Sequence, residues 1–301
     1  MKLFAPKYYT EFACIADRCR HSCCVGWEID VDADTAARYA SFCEGYGACV
    51  RDSLCWEDTP QFRLCEQDRC PHLDERGLCR IISELGEDAL CEICREHPRF
   101  YQITAQGREV GLGMACEEAC RIILRSDDYA HMILLEEDGK ESDIPEFDVL
   151  PYREELFRLL AEPSLSYEET LCCIEEHFCI SPACYSDAHW QEALEALEYL
   201  DDTHKAMFSC YTSAPKRAKE WKKVSERFLA YFVYRHLAKA YDLPSLRAYI
   251  GFCLLCERLF ASLMGNPTYE DAEEIARVLS EELEYSEENT DALTWEFMAL
   301  L

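Results

Sequence analysis

Residues 227–238 read RFLAYFVYRHLA. Phe228, Leu229, Ala230, Tyr231, Phe232, Val233 and Tyr234 leave no polar face, so a helix built from them must be surrounded by other elements. The flanking sequence provides those elements. A helix from about Lys216 to Tyr241 carries the segment. Pro244 opens the next one, through Leu246, Ile250, Leu254 and Phe260, since a proline is tolerated in a first helical turn. Ala272, Ile275, Ala276, Leu279 and Leu283 mark an amphipathic helix after it, and Ala193, Leu194, Ala196, Leu197 and Leu200 line one side of an earlier one. Residues 152–301 are therefore predicted to form an α-helical bundle domain. Gly and Pro number 11 each, too few for the turns of an all-β chain of this length. Residues 270–291, with ten acids against one Arg, read as a solvated helix face.

Ahead of the bundle, EEDGKESDIPEFDVLP at residues 136–151 is acidic and bounded by prolines, and we take it as a linker. Residues 1–135 differ in kind, since 14 of the 21 cysteines fall within residues 1–120. WEIDVDAD alternates Trp27, Ile29 and Val31 with Glu28, Asp30 and Asp32, the pattern of a half-buried strand, and Asp34 or Thr35 then caps a helix running through Tyr39 and Phe42. CPHLDERGLCRI is crowded with turn formers. One helix containing Leu85, Leu90 and Ile93 follows and ends at His97-Pro98, and FYQITAQGREVGLG forms a hairpin turning near Gly107. So loop-rich a module needs a staple. The fold class is mainly α, a cysteine-rich metal-binding module with short β hairpins packed on a C-terminal α-helical bundle.

Fifty-nine Asp and Glu against 30 Lys and Arg give a formal charge of -29, which argues against nucleic acid and anionic lipid as partners. There is no apolar leader and no run of 18 apolar residues, so the expectation is a soluble, cytoplasmic protein without a membrane span. In a reducing compartment disulfides do not persist, and 21 cysteines point to metal or redox chemistry. Cys14, Cys19, Cys23 and Cys24 place four thiols in eleven residues. Thiolates are preferred ligands of zinc and of iron-sulfur clusters, whose cations hold them ionised at neutral pH. Adjacent Cys23 and Cys24 diverge, so they serve two irons of one cluster or one of them is structural. Cys43, Cys49, Cys55 and Cys65 sit at loose spacings and read as small core residues. Cys172, Cys173, Cys179 and Cys184, with His177 one helical turn from Cys173, lie outside the front module and read as packing or an occasional redox role, with a second site as the alternative. No glycine-rich nucleotide loop follows a strand, VGLGM at residues 110–114 being only a hairpin fragment, and a C-x3-C-x2-C triplet is absent because Gly26 stands where its third Cys belongs.

Phe12-Ala13-Cys14, then CRHSCCVGWEIDVD, CPHL, GLCRII, LGEDAL, ICREHPRF and Cys116-Glu117, with RFLAYFVYRHL and YSEENTDAL in the helical half, resemble the flagellin lysine N-methylase family. More loosely the chain is similar to cysteine-cluster proteins described as zinc or iron chelators. The resemblance implies an enzyme, a protein-lysine N-methyltransferase that uses S-adenosylmethionine, carries a 4Fe-4S cluster and acts on flagellin. It implies metal ligation at Cys14, Cys19, Cys23, Cys24, Cys70, Cys79, Cys94 and Cys116, with Cys91 and Cys120 near matched positions. Eight thiols exceed the four that one cluster takes, so either a second metal is bound or some are structural. Zinc is the alternative metal, and a non-catalytic metal-binding or redox-sensing protein the alternative function. Arg99, in the ICREHPRF segment, is the candidate for holding the cosubstrate carboxylate; Tyr8, Tyr9 and Tyr101 are candidates around the target amine.

Overall fold

Helix dominates, as the scarcity of Gly and Pro implies. The computed structural model describes residues 2–56, 59–139, 144–265 and 268–301. In chain order its elements are β1 (Lys2–Pro6), α1 (Ala33–Ala40), α2 (Gly45–Asp52), β2 (Leu54–Cys55), β3 (Gln61–Phe62), α3 (Arg80–Leu85), α4 (Glu92–Glu96), β4 (Arg99–Thr104), β5 (Gly107–Leu112), α5 (Glu117–Arg125) and β6 (Met132–Glu137). The helical half follows as α6 (Leu150–Leu160), α7 (Tyr167–Phe178), α8 (Asp187–Glu195), α9 (Asp202–Phe208), α10 (Lys222–His236), α11 (Leu243–Leu263), α12 (Tyr269–Glu284) and α13 (Glu287–Met298). No helix among the described residues is long and apolar enough to cross a membrane.

The chain forms two compact units. One, the thiol unit, comprises Ala13–Phe100 with Cys116–Glu118; the other, the helical unit, comprises Met1–Phe12, Tyr101–Ala115 and Ala119–Leu301. This partition is not a single cut at residues 136–151, whose members 140–143 lie outside the described residues. The helical unit claims β1, β5 and β6 because they share one sheet, ordered β4-β5-β1-β6. In it β1 runs parallel to β5, with Leu3 opposite Arg108, and antiparallel to β6, with Ala5 opposite Ile133. The expected hairpin is β4 and β5. Gly107 turns it at φ +136°, and a Cβ there would stand 2.6 Å from the Lys2 carbonyl oxygen, so only glycine fits.

Charges buried in the helical unit are answered one by one. Glu109 on β5 is fully buried and takes both terminal nitrogens of Arg153 at 2.6 and 2.7 Å, with Gln102, Gln106 and Thr104 on the remaining lone pairs. Burial pushes its pKa up, but the hydrogen bonds and charge of Arg153 outweigh this and hold it below the usual carboxylate value. α10 is central, as expected. Phe228 stacks on Phe260 of α11 at 4.3 Å, and Phe232 lies against Phe252. α10 is shorter than residues 216–241, because single 3-10 turns at Lys219–Trp221 and Leu237–Lys239 flank it. Pro244 does lie in the first turn of α11, which Asp242 caps by accepting from Ser245 N–H at 2.8 Å. Leu197 and Leu200 lie beyond α8, whose C-cap is Ala196.

α12 departs from a solvated acidic face. Glu282 and Glu284 are buried, as is Arg277. Glu284 receives His236 Nε2 at 2.7 Å, Arg235 Nε at 3.1 Å and the Tyr231 hydroxyl at 2.9 Å. The two segments RFLAYFVYRHL and YSEENTDAL meet here, since Arg235 of the first lies over the ring of Tyr285 of the second at 5.3 Å. Burial raises the Glu284 pKa, and the charge of Arg235 and the hydrogen bond of His236 bring it below the ordinary value.

In the thiol unit, Ile29, Val31, Tyr39, Val50, Leu54, Phe62, Ile81 and Leu90 form one core. The alternation of WEIDVDAD is real in burial, Ile29 and Val31 inward and Asp30 out, but its backbone makes only an isolated bridge from Asp30 to Gln61. It does not form the expected strand, because β3, the segment beside it, is only two residues long. Asp32, rather than Asp34 or Thr35, caps α1, accepting from Thr35 N–H at 2.9 Å and, through its other oxygen, from Glu92 N–H at 2.8 Å. The single helix expected across Leu85, Leu90 and Ile93 is divided into α3 and α4, because Gly86 adopts φ +88° and ends α3. His97 ends α4.

α11 and α13 approach most closely at Gly251, where an added Cβ would lie within the van der Waals surface of the Phe297 ring. Gly251→Ala should therefore lower stability by about 1–3 kcal/mol through overpacking, read as a shift of the urea midpoint; an unchanged midpoint would show that the pair can separate freely.

Candidate metal centre

Thiols of the thiol unit gather in two sets. The outer set starts in the loop from Cys14 to Cys23. Ala16, at φ +53°, donates its N–H to the Cys14 sulfur at 3.4 Å, and a 3-10 turn over Ala16–Arg18 delivers Cys19, whose N–H bonds the Ala16 carbonyl at 3.0 Å. The Cys19 thiol then donates to the His21 carbonyl at 3.2 Å and faces Glu117 Oε2 at 3.6 Å. Glu117 also accepts from Arg20, backbone N–H at 2.8 Å and Nε at 2.9 Å. This clamp fastens Cys116–Glu118 to a loop about a hundred residues earlier in the chain. Burial pushes the Cys19 thiol up to about 11, and the nearby charges of Glu117 and Cys116 add to the rise. Cys23 is raised as well, first by the hydrogen bond it gives to Cys24, with the charges of Cys116 and Cys14 contributing. Cys14, Cys19, Cys23 and Cys116 therefore share one electrostatic neighbourhood.

The inner set lies in the core. Cys70 and Cys91 are buried, and Cys24, Cys79 and Cys94 pack against the same cluster. Cys70 N–H bonds the Cys24 carbonyl at 2.8 Å, and the Leu73–Cys79 bridge folds the CPHLDERGLC loop back on itself. Cys91 stands immediately before α4 and Cys94 within it, the Cys94 thiol donating to Cys91. That bond lowers Cys91 and raises Cys94. Cys24, accepting from Cys23, is lowered to about 7, while burial raises Cys70 to about 12 and also raises Cys79. His72, buried among them, is committed elsewhere: Nδ1 pairs with the Tyr46 hydroxyl and Nε2 with Ser53 Oγ, both at 2.8 Å. The available donors are sulfur alone.

All eight cysteines expected as ligands lie in this unit, four in each set. Cys91, left out of the eight, belongs to the inner set, and its C-x2-C spacing from Cys94 was the available signal. Cys120 is apart from them, buried in the helical unit with its thiol on the Glu273 carbonyl at 3.3 Å. Cys43, Cys49 and Cys65 are exposed and Cys55 is intermediate, so these four are not the small core residues their spacing suggested. Cys49 is on an outward position of α2, Cys55 ends β2, Cys65 bridges to Arg69, and the Cys43 thiol donates to the Ser41 carbonyl at 3.3 Å. Cys172, Cys179 and Cys184 are exposed too. Arg99 begins β4, half-buried, near His97, whose pKa burial and then the Arg99 charge push down to about 4. Tyr8 is buried, and Tyr101 is exposed with Arg108 over its ring at 5.0 Å.

Among the described residues, the group whose metal-type donor atoms all lie within 4.8 Å is His204, Glu281 and Glu282, in the helical unit. It has a structural occupation: Glu282 accepts from Leu200 and Asp201 N–H, at 2.8 and 3.2 Å, and from His204 Nδ1 at 2.6 Å. Among the described residues, no three thiols of the two sets come within that 4.8 Å of one another.

A small unit that gathers sulfur donors both at its surface and in its core defines a cysteine-cluster protein. Over 130 residues, 41% of this chain, it is 31% identical to the lysine-N-methylases of Salmonella typhimurium (strain LT2) and Salmonella choleraesuis (strain SC-B67), the match taking in 32% of each. It is also 30% identical over 130 residues to the flagellar biosynthetic protein FliU of Salmonella muenchen, 77% of which is matched. The chain belongs to the family of FliU. It matches about a third of the length of the two lysine-N-methylases. No protein-family model matches the chain, and neither does any solved structure.

The His204–Glu282 pair makes stability depend on pH. The hydrogen bond to Glu282 raises the His204 pKa above 6.5 against the opposing effect of burial. A raised folded-state pKa stabilises fully below the unfolded value, and that contribution is lost as pH rises through the folded one. The urea midpoint should fall as pH is raised above 6.5, and His204→Gln should remove that part of the slope.

Proposed function

We propose that this protein transfers methyl groups from S-adenosylmethionine to lysine side chains of flagellin, using an iron-sulfur cluster held by Cys14, Cys19, Cys23 and Cys116. Membership of the FliU family and the lysine-N-methylase names of its relatives support the reaction class. The observation that carries the cluster is the clamp of Glu117 on Arg20 and Cys19, which brings Cys116 to three thiols otherwise confined to one loop. The set contains only sulfur donors, as such a cluster takes, and it lies at the surface, where a cosubstrate has access. When bound there, the cluster would supply a Lewis-acidic, redox-active centre.

The chain's own residues have definite tasks. Methyl transfer needs a neutral amine aligned with the methyl-sulfur bond, while a free lysine holds its proton to about pH 10.4. The acidic surface attracts the lysine but favours its charged form, so desolvation at the site has to offset the attraction. Arg99 is assigned to the cosubstrate carboxylate, a planar two-donor match. Glu117 keeps its ionised form, since Arg20's hydrogen bonds and charge outweigh its burial, and so keeps the outer loop closed.

Titration of the metallated, anaerobically purified protein with S-adenosylmethionine should show saturable binding, weakened severalfold in Arg99→Ala. Metallated protein that binds none would return the chain to a metal-binding or redox-sensing role. Mass spectrometry of flagellin from cells with and without the protein should differ by methyl increments on lysine. With a formal charge of -29, the rate in vitro should fall as salt shortens the Debye length toward about 8 Å.

A further inference from the structure

We propose that a surface pocket of the thiol unit, walled by Trp56 and Arg63, binds a small aromatic phosphate of the nucleotide class. This goes beyond the proposed function and does not rest on it. The pocket measures about 450 Å³ and is lined by Ala40, Arg51, Asp52, Leu54, Trp56 and Arg63, room enough for a nucleoside phosphate. It lies where α1, α2 and the β2–β3 hairpin end beside one another. Ala40 is the last residue of α1, and Arg51 and Asp52 close α2. Trp56 follows β2 directly and Arg63 follows β3, and the Arg63 N–H on the Ser53 carbonyl at 2.9 Å ties the end of the hairpin to the end of α2. Leu54, buried as part of the core, is the floor.

Two of the lining side chains have no structural occupation. Trp56 is 44% exposed, and among the described residues no ring or guanidinium lies against its indole. Arg63 is exposed too, and its guanidinium meets no carboxylate or carbonyl among the described residues. In a chain with 59 acids against 30 Lys and Arg, the ordinary fate of an arginine is that of Arg51. Its Nε and Nη2 donate to Asp52 at 2.8 and 2.6 Å, and its Nη1 to the Phe42 carbonyl at 2.8 Å. That pair cancels the Asp52 charge, so Arg63 leaves the lining of the pocket positive. A guanidinium matches phosphate oxygens with two parallel N–H donors, and an open indole face takes a flat ring by stacking. A cation would be repelled by Arg63, and an uncharged ring would leave that guanidinium unanswered. With a formal charge of -29 on the chain, the long-range field draws in no anion. Binding therefore comes from these short contacts, and needs the ring as well as the phosphate.

The test is calorimetric titration of the full chain, purified anaerobically, with ADP in magnesium-free buffer. One saturable site is expected. Adenosine and pyrophosphate, each with half of the chemistry, should bind about tenfold more weakly or worse, and these comparisons need no variant. Arg63→Gln and Trp56→Ala should each weaken ADP by about tenfold, whereas Arg158→Gln, on the exposed side of α6, should leave it unchanged. Both pocket side chains are exposed, so both variants should keep the parent's urea midpoint. A parent that shows no saturable binding of ADP, or unchanged binding in either folded pocket variant, overturns the proposal. Pyrophosphate bound as tightly as ADP would reduce the pocket to a plain anion site and overturns it as well. So does displacement of ADP by S-adenosylmethionine, which would make the pocket the cosubstrate's.

Discussion

Thiols crowded within one small core cannot all ionise without a cation among them. Each thiolate raises the cost of the next, and withdrawal from water raises it again. The inner set shows both effects, since burial lifts Cys70 while a neighbour's proton lowers Cys91. A group of this kind has two stable conditions. Either most sulfurs stay protonated and bond one another in pairs, as Cys94 does to Cys91, or a metal takes the protons' place and satisfies all of them. Segments of the thiol unit with little regular structure pack where their sulfurs are, with Cys70 and Cys91 buried in the core and Cys24, Cys79 and Cys94 against it. The outer set obeys the same rule in a wetter setting, with Arg20 and Glu117 closing the loop.

The helical unit meets the burial of charge by other means. Glu109, Glu284 and Glu257 are each fully buried and each is matched by an arginine, Arg153, Arg235 and Arg217. These carboxylates join elements distant in sequence: β5 to α6, α12 to α10, and α11 to the stretch before α10. Removing one partner would leave the other charge buried and unanswered, at a cost of about 3–5 kcal/mol. Apolar packing around α10 sets the shape, and the ion pairs fix which helix face lies where.

Much of this was legible in sequence. RFLAYFVYRHLA gave a central helix because an all-apolar surface admits no other place, and Pro244 marked a helix start because proline is tolerated there. The division of cysteines into a rich front and a sparse back was also plain. Local pattern missed what depends on partners. Glu282 and Glu284 look like any other acids in an acidic helix, and only His204, Arg235 and His236, from 48 to 78 positions away, reveal them as buried. WEIDVDAD has the alternation of a strand, but a strand needs a neighbour of equal length, and Gln61–Phe62 is too short. Cys23 and Cys24 could not be assigned from spacing, since what distinguishes them is the late arrival of Cys116 on one side and of Cys70 on the other.

That late arrival has a consequence for how the molecule is made. Cys14, Cys19 and Cys23 leave the ribosome about a hundred residues before Cys116 and Glu117. At about 5–20 residues per second this is an interval of roughly 5–20 s. Throughout it the outer loop has three thiols and neither its fourth nor the carboxylate that pins Arg20. The inner set is complete sooner, once Cys94 has emerged. Synthesis thus imposes an order on the sulfur sites, core first and surface second, and gives the nascent chain a period in which three exposed thiols stand open to whatever metal or oxidant the cell presents.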